Sequence, residues 1–133
     1  FYRKNLKKNP NFSILGLNPH NFSLLKNSVD KKTIPSAIKK LKKLKIKVCG
    51  PTSPDSSFMK SNKKKIDVII GMYHDQVLTP FKALYNFKAI NITLGLPFIR
   101  ISPDHGTAVN IVGKNIANES SLFEAIKFFN NIK

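Results

Sequence analysis

Ile66-Asp67-Val68-Ile69-Ile70-Gly71-Met72 runs without a break into Tyr73-His74-Asp75-Gln76. The first seven residues are mostly β-branched and apolar, which suits a parallel strand buried on both faces. The polar quartet that follows then stands beyond the carboxyl end of a strand, where open parallel sheets bind their ligands.

The flanking segments repeat this alternation. Phe12 to Leu17 is short and apolar and ends in Asn18-Pro19-His20, a strand followed by a turn. Residues 21–32 are polar and irregular and read as a loop. Ile34, Ile38, Leu41 and Leu44 recur at helical spacing, which predicts an amphipathic helix with these four buried and its lysines solvated. Ile46 to Cys49 reads as a second strand, stopped by Gly50-Pro51. Ser53-Pro54-Asp55 carries the signature of a helix start, with Ser53 as cap and Pro54 at the first helical position; a short helix through Phe58 and Met59 follows. Residues 77–85 suit a helix if Pro80 falls in its first turn. Ala89 to Leu94 and Pro97 to Ile101 read as two more strands split by Gly95-Leu96. Leu122 to Ile132 reads as an amphipathic helix opened by a Ser121-x-x-Glu124 capping box. The expected fold is a layered α/β/α domain with a mainly parallel sheet.

The chain has 133 residues, enough for one compact domain with a modest core. It opens on Phe1 rather than Met, without the apolar core of a signal peptide, and reads as a single partial domain, 1–133, cut from a longer chain. No apolar run has the length of a membrane span. One cysteine, Cys49, excludes a disulfide framework and fits a reducing, cytoplasmic setting; it is expected to be a small buried hydrophobe. The net charge of +16 is uneven, with 17 Lys/Arg against 2 Asp/Glu in residues 1–65 and 6 against 5 in residues 66–133. The basic half is rich in lysine, with Arg3 its only arginine, whereas nucleic-acid readers lean on arginine and aromatic platforms. Lys39, Lys40, Lys42, Lys43, Lys45 and Lys47 therefore read as a solvated face, with no specific nucleic-acid partner expected.

Candidate chemistry lies just after the strand-like runs. His20 and His74 are placed to ligate a metal, with Asp75 as an orienting or additional oxygen donor, but ordinary turn or capping histidines look the same at this spacing. Arg100 closes the apolar run Leu96-Pro97-Phe98-Ile99; its planar fork suits a carboxylate or phosphate, or equally a surface salt bridge. Asn91 interrupts Ile90-Asn91-Ile92 and faces either solvent or a ligand. Asp104-His105-Gly106-Thr107 is a turn with polar donors. There is no G-x-G-x-x-G fingerprint.

Taken in order, Asn-Pro-His at 18–20, Tyr-His-Asp-Gln at 73–76, Pro80-Phe81-Lys82, Asn-Ile-Thr-Leu-Gly-Leu-Pro-Phe-Ile-Arg at 91–100 and Asp-His-Gly-Thr-Ala at 104–108 resemble successive signatures of the 4-hydroxythreonine-4-phosphate dehydrogenase family, C-terminal half only. The resemblance implies NAD-dependent oxidation of 4-phosphooxy-L-threonine followed by decarboxylation, in pyridoxal phosphate biosynthesis. It implies His20 and His74 as ligands of a divalent metal (zinc, magnesium or cobalt) and Lys82, Asn91 and Arg100 as contacts to a small phosphorylated amino-acid substrate. It singles out no catalytic acid or base here. It further implies a homodimer with the active site at the subunit interface, and a fragment inactive alone. His105-Gly106-Thr107-Ala108 with Ile111-Val112-Gly113-Lys114 and Asn118 also looks like the adenosine-binding loop of isocitrate and isopropylmalate dehydrogenases, which marks His105, Gly106 and Asn118 as cofactor contacts and the fold as akin to theirs. Two departures stand out: Asn21-Phe22-Ser23-Leu24-Leu25 replaces a Gly- and Glu-rich loop, and Val77 replaces a Gly. Three alternatives remain: a paralogue acting on a phospho-threonate or phospho-erythronate, a basic nucleic-acid-binding module, and a non-catalytic remnant whose fold survives but whose site has drifted, for which the altered loop after His20 is the hint.

Overall fold

The computed structural model describes residues 1–20, 24–59 and 66–132, so the substituted loop positions Asn21, Phe22 and Ser23 lie outside the described residues. The backbone gathers into two compact units, one of residues 8–81 and one of residues 1–7 with 82–133.

In the first unit, β1 (Phe12–Leu15), β2 (Val48–Thr52) and β3 (Val68–Ile70) form a parallel sheet in the order β2-β1-β3. β1 is the central strand, and Ser13, Ile14 and Leu15 are buried. β3, expected to be covered on both faces, is an edge strand of this sheet with Ile70 exposed. A five-residue π-helical turn, Val29–Thr33, leads into helix α2 (Ile34–Lys43), so the polar segment read as loop is helical at its end. Ile34 and Ile38 pack on Ile14, with Leu41 and Val48 at the margin. Leu44, expected in this stripe, is exposed because the helix ends at Lys43 and residue 44 is its C-cap.

Gly50-Pro51 does not stop β2 but lies inside it. The β1–β2 register slips there, from Ser13 opposite Cys49 to Leu15 opposite Thr52, an irregularity that takes up one extra residue. Gly50 has φ +127°, and a Cβ at this position would collide with Ile14 O, so only glycine lets the strands close. Pro51 is accepted because β2 is an edge strand. Cys49, on this outer strand, is exposed, against expectation; its thiol points at Phe12 O, 3.5 Å away.

Helix α3 (Pro54–Ser57) follows, shorter than expected, and the Ser53 hydroxyl donates to Pro19 O at 2.9 Å instead of capping it. Helix α4 (His74–Tyr85) begins three residues earlier than its sequence suggests, which leaves Pro80 in its interior.

In the second unit, β4 (Ile90–Thr93) and β5 (Arg100–Pro103) form an antiparallel pair rather than further parallel strands. The second strand starts at Arg100, three residues later than expected. Helix α5 (Ser120–Asn130) packs on the pair, with Ala89, Ser121 and Ala125 buried. Ser121 is no capping residue: its hydroxyl donates to Ala89 O and accepts from Asp104 N–H, tying helix to hairpin. Helix α1 (Tyr2–Asn5) is preceded by Phe1, whose ring stacks on Phe128 with centroids 6.4 Å apart. An apolar groove of about 380 Å³ runs between β5 and α5, lined by Phe98, Ile101, Leu122, Ile126 and Phe129 among others. Among the described residues, no helix is long and apolar enough to cross a membrane.

Gly50→Ala is expected to destabilise the chain by about 1–3 kcal/mol through strain at a positive φ, and more if Ile14 must move; urea unfolding at constant slope measures it. The lysines of α2 and its exit are exposed, so binding to duplex DNA or RNA is expected to be weak and lost as salt rises. Saturable, sequence-selective binding near physiological salt, followed by fluorescence anisotropy, would give those lysines a different role.

Candidate metal and substrate site

The exits of the three parallel strands meet at one edge of the sheet, and two histidines stand there. His20 lies in the turn after β1 and His74 opens α4 after β3, β1's neighbour. Both imidazoles are exposed and each has Nδ1 on a carboxylate: His20 on Asp55 Oδ2 at 3.0 Å, His74 on Asp75 Oδ1 at 2.6 Å. A ring held through one nitrogen presents the other, Nε2, in a fixed direction. Among the described residues no three His, Cys, Asp or Glu side chains converge as a ready-made metal cluster.

The turn that carries His20 is built by Asp30. This buried carboxylate accepts Leu17 N–H at 2.5 Å and Asn18 N–H at 3.2 Å. Asn18 Oδ1 in turn accepts the His20 N–H at 3.1 Å. From the β2 side, Ser53 and Asp55 grip Pro19 and His20. From the β3 side, buried Gln76 accepts Met72 N–H on Oε1 and donates from Nε2 to Gly16 O, both at 2.7 Å. Asp30 falls in no motif, and Asp55 and Gln76, which do fall in Ser53-Pro54-Asp55 and Tyr-His-Asp-Gln, carry no sequence expectation of these contacts, although one signal was present. Residues 1–65 contain only two acidic residues, and both are spent on the turn at His20. The Asp55 carboxyl is held below its ordinary value of 3.8, chiefly by the Ser53 hydroxyl and then by His20, against the opposing effect of desolvation.

The remaining candidates sit in the second unit. Asn91 pairs across from Ser102 and Thr93 from Arg100; residues opposite each other, and those two apart, share a face of the sheet. Asn91, Thr93, Arg100 and Ser102 therefore make a polar face of the hairpin, with Ile90, Ile92, Ile101 and Pro103 on the other. Arg100 is steadied by Thr93 Oγ1, 2.8 Å from its guanidinium. Lys82, in α4, donates to Asp104 O at 3.0 Å and lies 3.5 Å from its carboxylate. Lys82 is thus anchored just past the carboxyl end of β5, and Arg100 stands at its amino end. His105 and Gly106 are exposed in the loop after β5, with His105 Nδ1 3.1 Å from Gly106 O. Asn118, before α5, accepts Ser120 N–H at 3.0 Å.

Histidines and carboxylates gathered past the exits of a parallel sheet are the means by which α/β proteins hold small ligands. Known proteins make the class specific. The chain belongs to the family described as pyridoxal phosphate biosynthetic protein PdxA, which matches residues 2–129. It is 48% identical over 121 residues to the 4-hydroxythreonine-4-phosphate dehydrogenase of Sulfurihydrogenibium sp., covering 89% of this chain and 36% of that protein. It is 41% identical to a protein of Oceanobacillus iheyensis named as a candidate D-threonate 4-phosphate dehydrogenase, over 90% of this chain and 36% of that one. The solved 4-hydroxythreonine-4-phosphate dehydrogenase of Klebsiella pneumoniae superposes with a TM-score of 0.72 at 34% identity, over 90% of this chain and 37% of its own. The chain therefore spans little more than a third of the length of these relatives.

Because Asp55 is depressed in the folded chain, its contribution to stability is full above its unfolded value and is lost as pH falls through the lowered one. A carboxyl carbon titration followed by NMR is expected to place its midpoint below 3.8. Ser53→Ala is expected to raise that midpoint, and an unmoved midpoint would assign the depression to His20 and the Ser56 backbone N–H instead.

Proposed function

We propose that this chain is the C-terminal part of an NAD-dependent, divalent-metal-dependent dehydrogenase of the cytoplasm. Its substrate is 4-phosphooxy-L-threonine, oxidised at the secondary hydroxyl; the β-keto acid formed then loses carbon dioxide to leave 3-amino-2-oxopropyl phosphate for pyridoxal 5'-phosphate synthesis. The observation that carries this reading is the pair His20 and His74 at the exits of adjacent strands, each with Nδ1 on a carboxylate. That donor set fits a divalent ion, because a neutral imidazole fixed through one nitrogen ligates with the other. Zinc, magnesium or cobalt would supply a Lewis acid to the substrate's oxygens, while NAD would take the hydride.

The chain's own residues bind and orient. Arg100 and Asn91, from the polar face of the hairpin, and Lys82, from its far end, hold the anionic groups of the substrate. Lys82 must exchange part of its contact with Asp104 to do so. His105, Gly106 and Asn118 form the open loops that take the adenosine end of the cofactor; nothing stands within 4 Å of where a Cβ at Gly106 would be. Oxidation releases the hydroxyl proton and moves a hydride from the carbinol carbon, and decarboxylation returns a proton to carbon. The remaining ligands and contacts come from the part of the family's fold that this chain does not span, in a homodimer.

A second substrate is favoured by the Oceanobacillus relative, whose name specifies D-threonate 4-phosphate. NADH formation separates the two: 4-phosphooxy-L-threonine is expected to be turned over and D-threonate 4-phosphate to be poorer. In a family-length polypeptide carrying this sequence, His74→Ala is expected to lower turnover at least a hundredfold, about 3 kcal/mol of lost stabilisation. Turnover within a few-fold of the parent at equal metal content would make His74 a structural residue.

A further inference from the structure

We propose that Gln76 is a positioning residue that sets the separation of His20 and His74, with Gly71 making room for it; the role rests on these histidines holding a divalent metal. β1 and β3 are paired only from Phe12–Val68 to Ile14–Ile70. Past that point the two chains diverge, one toward His20 and one toward His74, and no further ladder bond joins them among the described residues. The link beyond the ladder is the Gln76 carboxamide. Its oxygen takes Met72 N–H on the β3 exit and its nitrogen gives a hydrogen bond to Gly16 O on the β1 exit, each at 2.7 Å.

The chemistry demands an amide. One side must accept and the other donate, at a site only 7% exposed. An ionised glutamate has no donor, and an apolar residue of the same size leaves both backbone groups unpaired. Gly71 supplies a separate observation. A Cβ there would lie 2.5 Å from Val77 Cγ1 and 3.3 Å from Gln76 Oε1, so the first turn of α4 seats against the β3 exit only because residue 71 has no side chain. His74 opens that same turn, two residues before Gln76. On the other branch, Asp30 fixes Leu17 and Asn18, and Asn18 fixes the His20 backbone. The two histidines are thereby joined through a short run of hydrogen bonds between side chains and backbone, with Gln76 at its centre.

Cobalt(II) titration of the chain, followed by calorimetry and visible absorption, tests this. Binding is expected to be weak and to fall further with His20→Ala or His74→Ala. Gln76→Met, neutral and of similar volume, is expected to weaken cobalt binding about tenfold or more while the chain remains folded by circular dichroism. In the His74→Ala background the same substitution is expected to change affinity less than twofold, a coupling that a purely structural residue would not show. Should Gln76→Met fail to fold, Gly71→Ala, which displaces the carboxamide, takes its place with the same expectation. Cobalt affinity sensitive to both histidines but unaffected by the folded variant overturns the positioning role alone. Affinity indifferent to both histidines overturns the metal reading, and the positioning role with it.

Discussion

Strand β1 is hydrogen-bonded on both sides and buried along most of its length, and the first unit is arranged around that fact. A buried central strand must pair its backbone completely, because an unpaired peptide group away from water costs about as much as a lost hydrogen bond. Once β2 and β3 have done this, all three strands end at the same edge. Their exits carry His20, Asp55 and His74, and each exit is then tied to the next by side chains: Ser53 to Pro19, Asp55 to His20, Gln76 to Gly16. Polar side chains thus continue beyond the strands the work of the ladder within them. The candidate site inherits its rigidity from the sheet, not from the short turns on which its residues sit.

The second unit depends on a different economy. A two-stranded antiparallel pair is marginal by itself, and here helix α5 packs on it, attached through Ser121 and small residues at Ala89 and Ala125. Phe98, Leu122, Ile126 and Phe129 remain exposed around the groove between β5 and α5.

The strands and the amphipathic α2 were legible because periodicity and β-branching report burial directly, residue by residue. The positions of His20 and His74 after strands were legible for the same reason. What the sequence concealed were contacts made over long separations. Ser121 and Glu124 match a capping box, yet Ser121 bonds a carbonyl 32 positions away, which no local pattern encodes. Ser53 looks like a cap and serves Pro19 instead. Gly50-Pro51 is a breaker by composition, but pairing with β1 carries the strand through it. The antiparallel course of β4 and β5 was hidden because an apolar strand-length run has no direction. Leu44 failed as a core residue for the simplest reason: the helix ended first.

Pro51 has one more effect. An outer strand of a sheet offers a row of unpaired N–H and C=O groups on which a further strand, its own or another molecule's, can be laid. β2 is such an outer strand, and its middle is interrupted by a residue with no N–H and by a slipped register. A flat, continuous template is missing along that side. The same irregularity that brings Thr52 into place beside Leu15 therefore leaves the sheet with a border that resists being extended.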